Sequence, residues 1–308
     1  MARILITGCS GFLAPYLIGA LQGDGPHAIT GITEETDFLS GECRIFHLDI
    51  RDRAPVRQII ADIKPDFIFH LAAISNVGFS WTHQKLTYEV NFIGSLNILE
   101  AAAAFCPQAR VLLMSSAEIY GAHPQKLNED TRPKARNPYS LSKYAMELLG
   151  DLFGETKNLD VVRIRCFNFT GPRQAPQFVC SDFASQIADI QRGKREPVMR
   201  VGNLSAVRDF SDVRDIARYL SVIARQGERG AVYNLCSGKS YSIRQILDIL
   251  LGFSEKQIEV KVDPQKFRPV DIPVLAGDCT LIRQKFKLAP RYTIEQTLQD
   301  LLDYWRKR

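Results

Sequence analysis

Short apolar runs alternate with longer helix-like segments through the first half of the 308-residue sequence, and this alternation restricts the fold more than any other feature. Strands joined in this rhythm need crossover connections, which predicts a parallel sheet with helices on both faces and hence an α/β fold. The predicted strands are 3–7, 28–32, 44–47, 67–71, 111–115 and 161–165, and the predicted helices are 54–63, 88–105 and 140–153.

The pattern changes after about residue 171, where prolines and glycines are denser, strands are shorter and loops are longer. This change predicts a second, smaller domain of mixed structure. We expect residues 1–167 to form a dinucleotide-binding domain, to which the chain returns near 204–230. Residues 168–203 and 231–308 are then expected to form a smaller C-terminal substrate domain.

A glycine pair, Gly8-Cys-Ser-Gly11, directly follows the first strand and opens the first helix. Glycine at 8 permits a tight turn, and glycine at 11 lets the backbone approach a pyrophosphate at the helix N-terminus. Turns need glycine in any case, but the place after the first strand indicates a dinucleotide site on a Rossmann-type, doubly wound sheet.

The end of the second strand bears on the choice of cofactor. Glu34 and Glu35 stand where an acid bonds the adenosine ribose and an arginine would meet a 2′-phosphate, which favours NAD over NADP. A solvated acidic loop is an equal alternative for either glutamate. Asp49 and Ile50, at the next strand end, are expected to flank the adenine.

Tyr139 and Lys143 are one helical turn apart, so both side chains lie on one face of a helix. The Lys143 ammonium is expected to lower the pKa of Tyr139, so that the phenol exchanges a proton with a substrate oxygen. Ser115 and Ser116 end a preceding strand, where ligands collect on parallel sheets, and Ser116 is expected to hold that oxygen. The set predicts redox chemistry with a nicotinamide cofactor.

Composition excludes several other classes of function. A formal charge of +5 without a dense basic run argues against nucleic acid as a partner. Seven scattered cysteines and five histidines show no metal spacing, so we expect neither a metal site nor a disulfide framework. No apolar run reaches the roughly 18 residues of a membrane span and no signal peptide is recognisable, so a cytoplasmic protein without a membrane partner is expected.

The order and spacing of these motifs resemble the extended short-chain dehydrogenase/reductase family that acts on nucleotide sugars. The resemblance implies a Ser–Tyr–Lys catalytic set in which Lys143 also bonds the nicotinamide ribose, and a homodimer formed through the helices at 88–105 and 140–153. The matching motifs are Gly8-x-x-Gly11-Phe, His70-Leu-Ala-Ala73, Asn91-x-x-Gly94-x-x-Asn97, Ser115-Ser-x-Glu-x-Tyr-Gly121 and Tyr139-x-x-x-Lys143.

The second half is similar to the GDP-mannose branch of that family, through Gly202-Asn-Leu-Ser-Ala-Val-Arg208 and Arg268-Pro-Val-Asp271. The resemblance implies that Arg208 contacts the diphosphate and that Arg268 with Asp271 holds the guanosine ribose of a GDP-sugar. An ion pair of Arg208 with Asp209 or Asp212 is the alternative. The other expected substrate contacts are Ser75, Asn168, Phe178, Val179 and Asn203. The expected cofactor contacts are Gly8, Ser10, Gly11, Phe12, Leu13, Thr33, Asp49, Ile50, Leu71, Ala72, Ala73, Ser115, Tyr139, Lys143 and Phe167.

Three reactions of this branch share the catalytic set. A 4,6-dehydratase needs an additional acid/base, which Glu118 could supply, although the same glutamate could merely orient substrate or bond loop backbone. The loop Gly11-Phe-Leu-Ala14 and the glutamates after the second strand depart from the dehydratase pattern. We therefore favour reduction of the C4 ketone of a GDP-4-keto-6-deoxy-mannose by NAD(P)H, with the dehydratase second and a 4-epimerase third. A non-catalytic dinucleotide sensor does not account for the retained Tyr139 and Lys143.

Overall fold

A seven-stranded parallel sheet forms the centre of the computed structural model, which describes residues 1–38, 41, 43–267 and 270–308. Its strand order is β10-β6-β5-β4-β1-β2-β3. This confirms the predicted α/β class and the predicted strands, whose ends move by no more than a residue or so. The strands are β1 (Arg3–Thr7), β2 (Ala28–Thr33), β3 (Arg44–His47), β4 (Phe67–His70), β5 (Arg110–Ser116), β6 (Asp160–Cys166), β7 (Asn168–Thr170), β8 (Val198–Val201), β9 (Val207–Asp212), β10 (Val232–Leu235), β11 (Ser240–Ser242), β12 (Glu259–Val262) and β13 (Val274–Leu275).

Helices cover both faces of this sheet, which is why strand interiors such as Ile4-Leu5-Ile6 are apolar without alternation. None of the helices that the structure describes has the length and apolarity that crossing a bilayer requires. The helices are α1 (Ala14–Gly23), α2 (Arg53–Ile63), α3 (Val77–Thr82), α4 (Gln84–Tyr88), α5 (Ser95–Phe105), α6 (Pro138–Lys157), α7 (Val179–Gln191), α8 (Val213–Gln226), α9 (Ile243–Gly252), α10 (Thr280–Phe286) and α11 (Ile294–Arg306).

The helix predicted over 88–105 contains a wide turn. Residues Glu89–Gly94 form a π-helical segment between α4 and α5. The Asn91 side chain accepts a hydrogen bond from Ile74 N at 2.8 Å and donates to Ile74 O and Ser142 Oγ at 3.0 and 2.9 Å. These tertiary bonds compensate the poorer backbone geometry of the wide turn and tie α6 to the segment after β4.

Helix α6 begins two residues before its predicted start because its N-terminus is capped by Asn137. The Asn137 side chain accepts from Ser140 N at 2.7 Å, and Ser140 Oγ accepts from Asn137 N at 3.1 Å. Pro138 occupies the first turn, where no backbone N–H is needed. The cap places Tyr139 in the first turn of α6, next to the end of β5.

The second half builds two smaller sheets. Strands β11, β9, β13 and β7 form one of them, and β8 pairs with β12 in the other. A separate apolar core lies among α7, α9 and α11. Helix α8 packs on α1, and β10 pairs with β6 of the main sheet, so the returning segment extends past residue 230. The division into two domains at residue 167 remains a prediction.

Candidate active site

A cleft of about 1540 Å³ opens at the carboxyl edge of the main sheet. Strand β1 pairs with β2 on one side and with β4 on the other, so the strand order reverses at β1. Loops diverge at such a reversal and leave a crevice, which is where ligands bind on open α/β sheets. The cleft continues from there to the smaller sheet that contains β9.

The glycine loop lines one end of the cleft. Gly8 has a φ of +69°, and a Cβ there would lie 2.8 Å from the Cα and N atoms of Ala72. Leu13 precedes helix α1 as its N-cap residue, and no side chain caps this N-terminus, whose positive dipole end suits an anion. A close backbone approach and an uncapped helix N-terminus fit a dinucleotide pyrophosphate.

The residues predicted for the adenosine end divide into two groups. Ser10 Oγ and Thr33 Oγ1 lie 2.8 Å apart, and Glu35 lines the cleft. The structure therefore brings these three predicted residues together at one end of the cleft. Asp49 instead binds the Arg51 side chain, whose hydrogen bond holds the pKa of the carboxyl below its usual value. Among the described residues that line the cleft, neither Asp49 nor Ile50 is found, and their adenine contact stays a prediction.

The floor of the cleft is held by a buried polar chain. Thr7 Oγ1 lies 2.7 Å from His70 Nδ1, and His70 Nε2 lies 2.8 Å from Ser95 Oγ. Thr7 Oγ1 also accepts from Ala72 N at 3.2 Å. Burial, with a smaller effect of the Lys143 charge, lowers the pKa of His70 to about 3, so the ring is neutral. These hydrogen bonds fix the turn formed by Leu71, Ala72 and Ala73, and Leu71 and Ala73 line the cleft.

The predicted catalytic side chains meet where β5 ends. Ser116 is the last residue of β5, and its side chain interacts with that of Tyr139. Lys143 follows one turn later on α6 and is 2% exposed, with Nζ donating to Met114 O at 2.7 Å. The structure thus brings Ser116, Tyr139 and Lys143 together, with Ser116 and Tyr139 lining the cleft.

The electrostatics of this set differ from the expectation that Lys143 lowers the pKa of Tyr139. Burial raises the pKa of Tyr139, and the hydrogen bond with Ser116 only partly opposes this. Burial also lowers the pKa of Lys143 to about 7. The reason is geometric, since Lys143 Nζ is directed to the Met114 carbonyl of β5.

Glu118 lies in the 3₁₀ turn Ala117–Tyr120 that follows β5, and it lines the cleft. Its backbone N–H donates to Ser116 Oγ at 3.2 Å, and Oε2 accepts from Asn137 Nδ2 at 3.2 Å. Glu118 therefore links Ser116, through its backbone, to the cap of α6, through its carboxylate. In this position Glu118 can orient its neighbours Ser116 and Asn137, and it can also contact a substrate in the cleft.

Ser115 contributes a further polar atom. Its Oγ is buried and has no hydrogen-bond partner, although the residue lines the cleft. Buried hydroxyls are normally paired, so an unpaired one marks a position where a ligand supplies the partner. Phe167, which follows β6, closes the same part of the cleft.

Arg208 is nearly buried on β9 and pairs with Asp271. Its guanidinium donates to Asp271 Oδ1 at 2.9 Å and to Ile272 O at 2.7 Å, while Asn203 Nδ2 donates to Asp271 Oδ2 at 2.9 Å. The alternative pairs with Asp209 or Asp212 are therefore wrong, because Asp209 accepts from Ser237 and Gly238 instead. Arg268 lies outside the described residues.

The remaining predicted substrate residues also line the cleft, namely Ser75, Asn168, Phe178, Val179, Asn203, Arg208 and Asp271. Sequence reasoning missed Asp182 in the first turn of α7 and Lys266 in the turn Pro264–Lys266. Lys266 Nζ lies 3.6 Å from Asp182 Oδ2, and both side chains line the cleft. The position of Asp182 one turn after Phe178 is the sequence signal that could have pointed to it.

Comparisons with known proteins cover nearly the whole chain. A family model described as GDP-mannose 4,6 dehydratase matches residues 5–301. The GDP-6-deoxy-D-mannose reductase of Pseudomonas aeruginosa is 31% identical over 311 residues, which are 99% of this chain and 98% of the relative. The GDP-6-deoxy-D-talose 4-dehydrogenase of Aggregatibacter actinomycetemcomitans is 33% identical over 280 residues, which are 90% of this chain and 88% of the relative.

The fold is also similar to a solved structure along its full length. The structure of RMD from Pseudomonas aeruginosa complexed with NADPH superposes with a TM-score of 0.87 at 29% identity and covers 100% of both chains. A dinucleotide is thus bound by a protein with the same arrangement of strands and helices.

Proposed function

The chain belongs to the GDP-mannose 4,6 dehydratase family of extended short-chain dehydrogenases/reductases, and from this premise we propose that it reduces the C4 ketone of GDP-4-keto-6-deoxy-D-mannose to GDP-D-rhamnose. The observation that carries the proposal is that Ser116 and Tyr139 line one cleft together with Arg208 and Asp271, while Lys143 lies one turn after Tyr139 on α6. A ketone oxygen and a nucleotide diphosphate can then be held by a single ligand-binding surface.

The residues present fit NAD or NADP. Gly8 leaves no room for a side chain against Ala72, the N-terminus of α1 is uncapped, and Ser115 Oγ lacks a partner. When bound, the reduced nicotinamide supplies hydride to C4 of the sugar. Glu35 near the adenosine end favours NADH, whereas the related RMD was solved with NADPH, so both are to be tested.

The chain's own residues manage the proton and the orientation of the ketone. We assign Ser116 Oγ to hold the C4 oxygen and Tyr139 Oη to donate the proton that turns it into a hydroxyl. Because burial favours the neutral phenol, Tyr139 is protonated before the reaction, as a donor must be. Lys143 is assigned to the nicotinamide ribose, as the family resemblance implies, because burial and not the Lys143 charge governs the pKa of Tyr139.

The nucleotide part of the substrate meets polar groups from the second half of the chain. Arg208 offers its guanidinium to the diphosphate, Asp271 accepts from the ribose hydroxyls, and Arg268 is assigned to donate to the same ribose. Asp182 and Lys266 place an acceptor and a donor side by side. Guanine presents N1–H and its 2-amino group beside O6, so this pair complements the base edge that distinguishes GDP from ADP.

A second candidate within the same family is the opposite stereochemical outcome at C4. It is favoured by the 33% identity to the GDP-6-deoxy-D-talose 4-dehydrogenase, because 6-deoxytalose and rhamnose differ only in the configuration at C4. The dehydratase reaction, which the family description names, requires an additional acid/base, for which Glu118 is the candidate. A 4-epimerase that retains its NAD would use the same catalytic set.

One pair of incubations separates these reactions. The purified protein is given GDP-mannose alone, and separately the 4-keto-6-deoxy product with NADH or NADPH, and the sugar products are identified by NMR. We expect cofactor oxidation only with the keto-sugar, and GDP-rhamnose as the product. Conversion of GDP-mannose without reductant would identify a dehydratase, and GDP-6-deoxytalose would identify the second candidate.

We also propose that the protein is a homodimer. Exposed apolar side chains lie on the outer faces of α4, the wide turn and α6, and Leu148, for example, is 51% exposed. A second copy that packs the same helices against them would bury this patch in a four-helix arrangement. The residues that support this are Tyr88, Ile93, Leu141, Leu148 and Leu152. Sedimentation of the wild type against Leu148→Glu tests it, and an unchanged mass would count against it.

A further inference from the structure

A buried carboxylate stands one turn beyond Lys143 on α6. Glu147 is 1% exposed, and the side chain of Arg165 from β6 grips both of its oxygens. Arg165 Nε donates to Oε1 and Oε2 at 3.2 and 3.1 Å, and Nη2 donates to Oε2 at 2.9 Å. Neither residue lines the cleft or takes part in the proposed reaction.

The guanidinium that holds Glu147 is itself fixed from other sides. Arg165 Nη1 donates to Tyr120 Oη at 3.1 Å and to Glu129 O at 2.9 Å, and its Cζ lies 5.0 Å from the centre of the Tyr120 ring. Tyr120 Oη donates in turn to Asn234 Oδ1 at 2.7 Å. A carboxylate held by so many fixed partners has little freedom to move relative to α6.

The other groups around Lys143 do not supply a comparable negative charge. His70 on β4 is neutral, and burial keeps the Cys166 thiol on β6 protonated by raising its pKa. Glu147 is the charged group whose attraction raises the pKa of Lys143 against the effect of burial. The remaining titratable or charged groups on the elements packed against α6 are Lys85, Tyr88, Glu89, Glu100, Arg110, Glu118, Tyr120, Asp160, Arg163 and Arg165, beside Tyr139, Tyr144, Asp151, Glu155 and Lys157 on α6 itself.

We propose that Glu147, clamped by Arg165, is a positioning residue that keeps the buried Lys143 ammonium charged and so maintains the catalytic set. The proposal rests on the catalytic role proposed for Lys143. The spacing Tyr139, Lys143, Glu147 repeats every four residues, so the three side chains are stacked along one face of α6. The buried Glu147 carboxylate then lies one turn from the Lys143 ammonium, where water does not screen the attraction between the two charges.

The two partners of the pair make opposite predictions, which separates an electrostatic role from a merely structural one. In Glu147→Gln the Arg165 cation stays without its carboxylate, and the titration midpoint of Lys143 should fall by about one pH unit. In Arg165→Gln the carboxylate is left to Lys143 as its nearest cation, and the midpoint should rise. The double variant should lie between the single ones.

The midpoint can be measured without any ligand, by NMR titration of protein that carries carbon-13 at the lysine Cε atoms. The Lys143 signal is identified by its loss in Lys143→Arg. Asp160→Asn is the matched control, because it breaks the Arg110–Asp160 pair at the opposite end of β6 and should leave the signal unmoved. The proposal is overturned if Glu147→Gln leaves the midpoint in place, or if both single variants move it in the same direction.

The pH profile of keto-sugar reduction gives the catalytic readout. We expect the alkaline limb of kcat/KM, which reports groups of the free enzyme, to move to lower pH in Glu147→Gln by the same amount as the NMR midpoint, about tenfold in kcat/KM per pH unit on that limb. A loss that is uniform at every pH would indicate a structural role instead. A shifted midpoint in a protein that reduces no keto-sugar would refute the proposed function and leave the charge effect of Glu147 intact. Should Glu147→Gln not fold, Arg165→Gln and the double variant still decide the sign.

Discussion

Tyr139→Phe removes one hydroxyl from an otherwise buried side chain and leaves the ring in place. General acids contribute about 10²–10⁴ in rate, so kcat should fall by that factor, which is roughly 3–5 kcal/mol in the barrier. The folded protein loses the polar interaction with Ser116, and Ser116 Oγ keeps its hydrogen bond from Glu118 N at 3.2 Å. The free energy of unfolding should therefore drop by only about 1 kcal/mol.

The assay is steady-state cofactor oxidation at saturating keto-sugar, combined with thermal unfolding of the same preparations. Tyr144→Phe is the matched control, because Tyr144 directly follows Lys143 on α6 and lies outside the cleft lining. Its kcat should stay within about twofold of the wild type, since a surface-side hydroxyl seldom contributes more than a few tenths of a kcal/mol. A decrease of less than tenfold in Tyr139→Phe, or an equal decrease in both variants, refutes Tyr139 as proton donor.

Three further predictions concern the cofactor, the base and the buried lysine. Gly8→Ala should weaken NADPH binding more than tenfold in a fluorescence titration, because a Cβ would lie 2.8 Å from Ala72 backbone atoms at a φ of +69°; Gly19→Ala, which meets no atom, should bind normally. Asp182→Asn should reduce the preference for GDP over inosine diphosphate by about tenfold in calorimetry, since a charged hydrogen bond to the 2-amino group is lost, and an unchanged ratio would exclude Asp182 from reading the base. Lys143→Met should abolish reduction yet raise the melting temperature at pH 7. Burial lowers the pKa of Lys143 from 10.5 to about 7, so between these pH values the unfolded chain binds more protons than the folded one and wild-type stability rises with pH. The stability advantage of the variant should therefore shrink toward pH 10.5, and an advantage that grows with pH would contradict this.

The order of the main elements was predictable because parallel strands buried on both faces are written as continuous apolar runs. Strands β1, β3 and β4 end within a residue of their predicted limits. The wide turn Glu89–Gly94 was not predictable, since its sequence continues the helical pattern on either side. The bonds of Asn91 with Ile74 and Ser142, which are distant in sequence, favour it over a regular helix.

In the site, too, the features set by neighbouring residues were predictable from the sequence, and those set by residues distant in sequence were not. Tyr139 and Lys143 were predictable because residues four apart share a face of any helix. The partner of Arg208 was not, because Asp271 is 63 residues away and Asp209 is adjacent. Successive residues of a strand point to opposite faces, so Asp209 turns away from Arg208 and binds the loop at Ser237.

The position of Lys143 is difficult to explain by stability. A lysine that is 2% exposed and has its pKa lowered to about 7 destabilises the folded chain. The adjacent Glu147–Arg165 pair is a buried ion pair, and apolar residues can often replace such a pair without loss of stability. The middles of the neighbouring strands, such as Ile68 and Leu112, are fully apolar, so the fold itself does not require charges in its sheet. Polar groups are concentrated where the strands end, at the edge that opens into the cleft. A higher melting temperature together with lost reduction in Lys143→Met is therefore the result that a site maintained for its chemistry requires, and a lower melting temperature would mean that the lysine is structural.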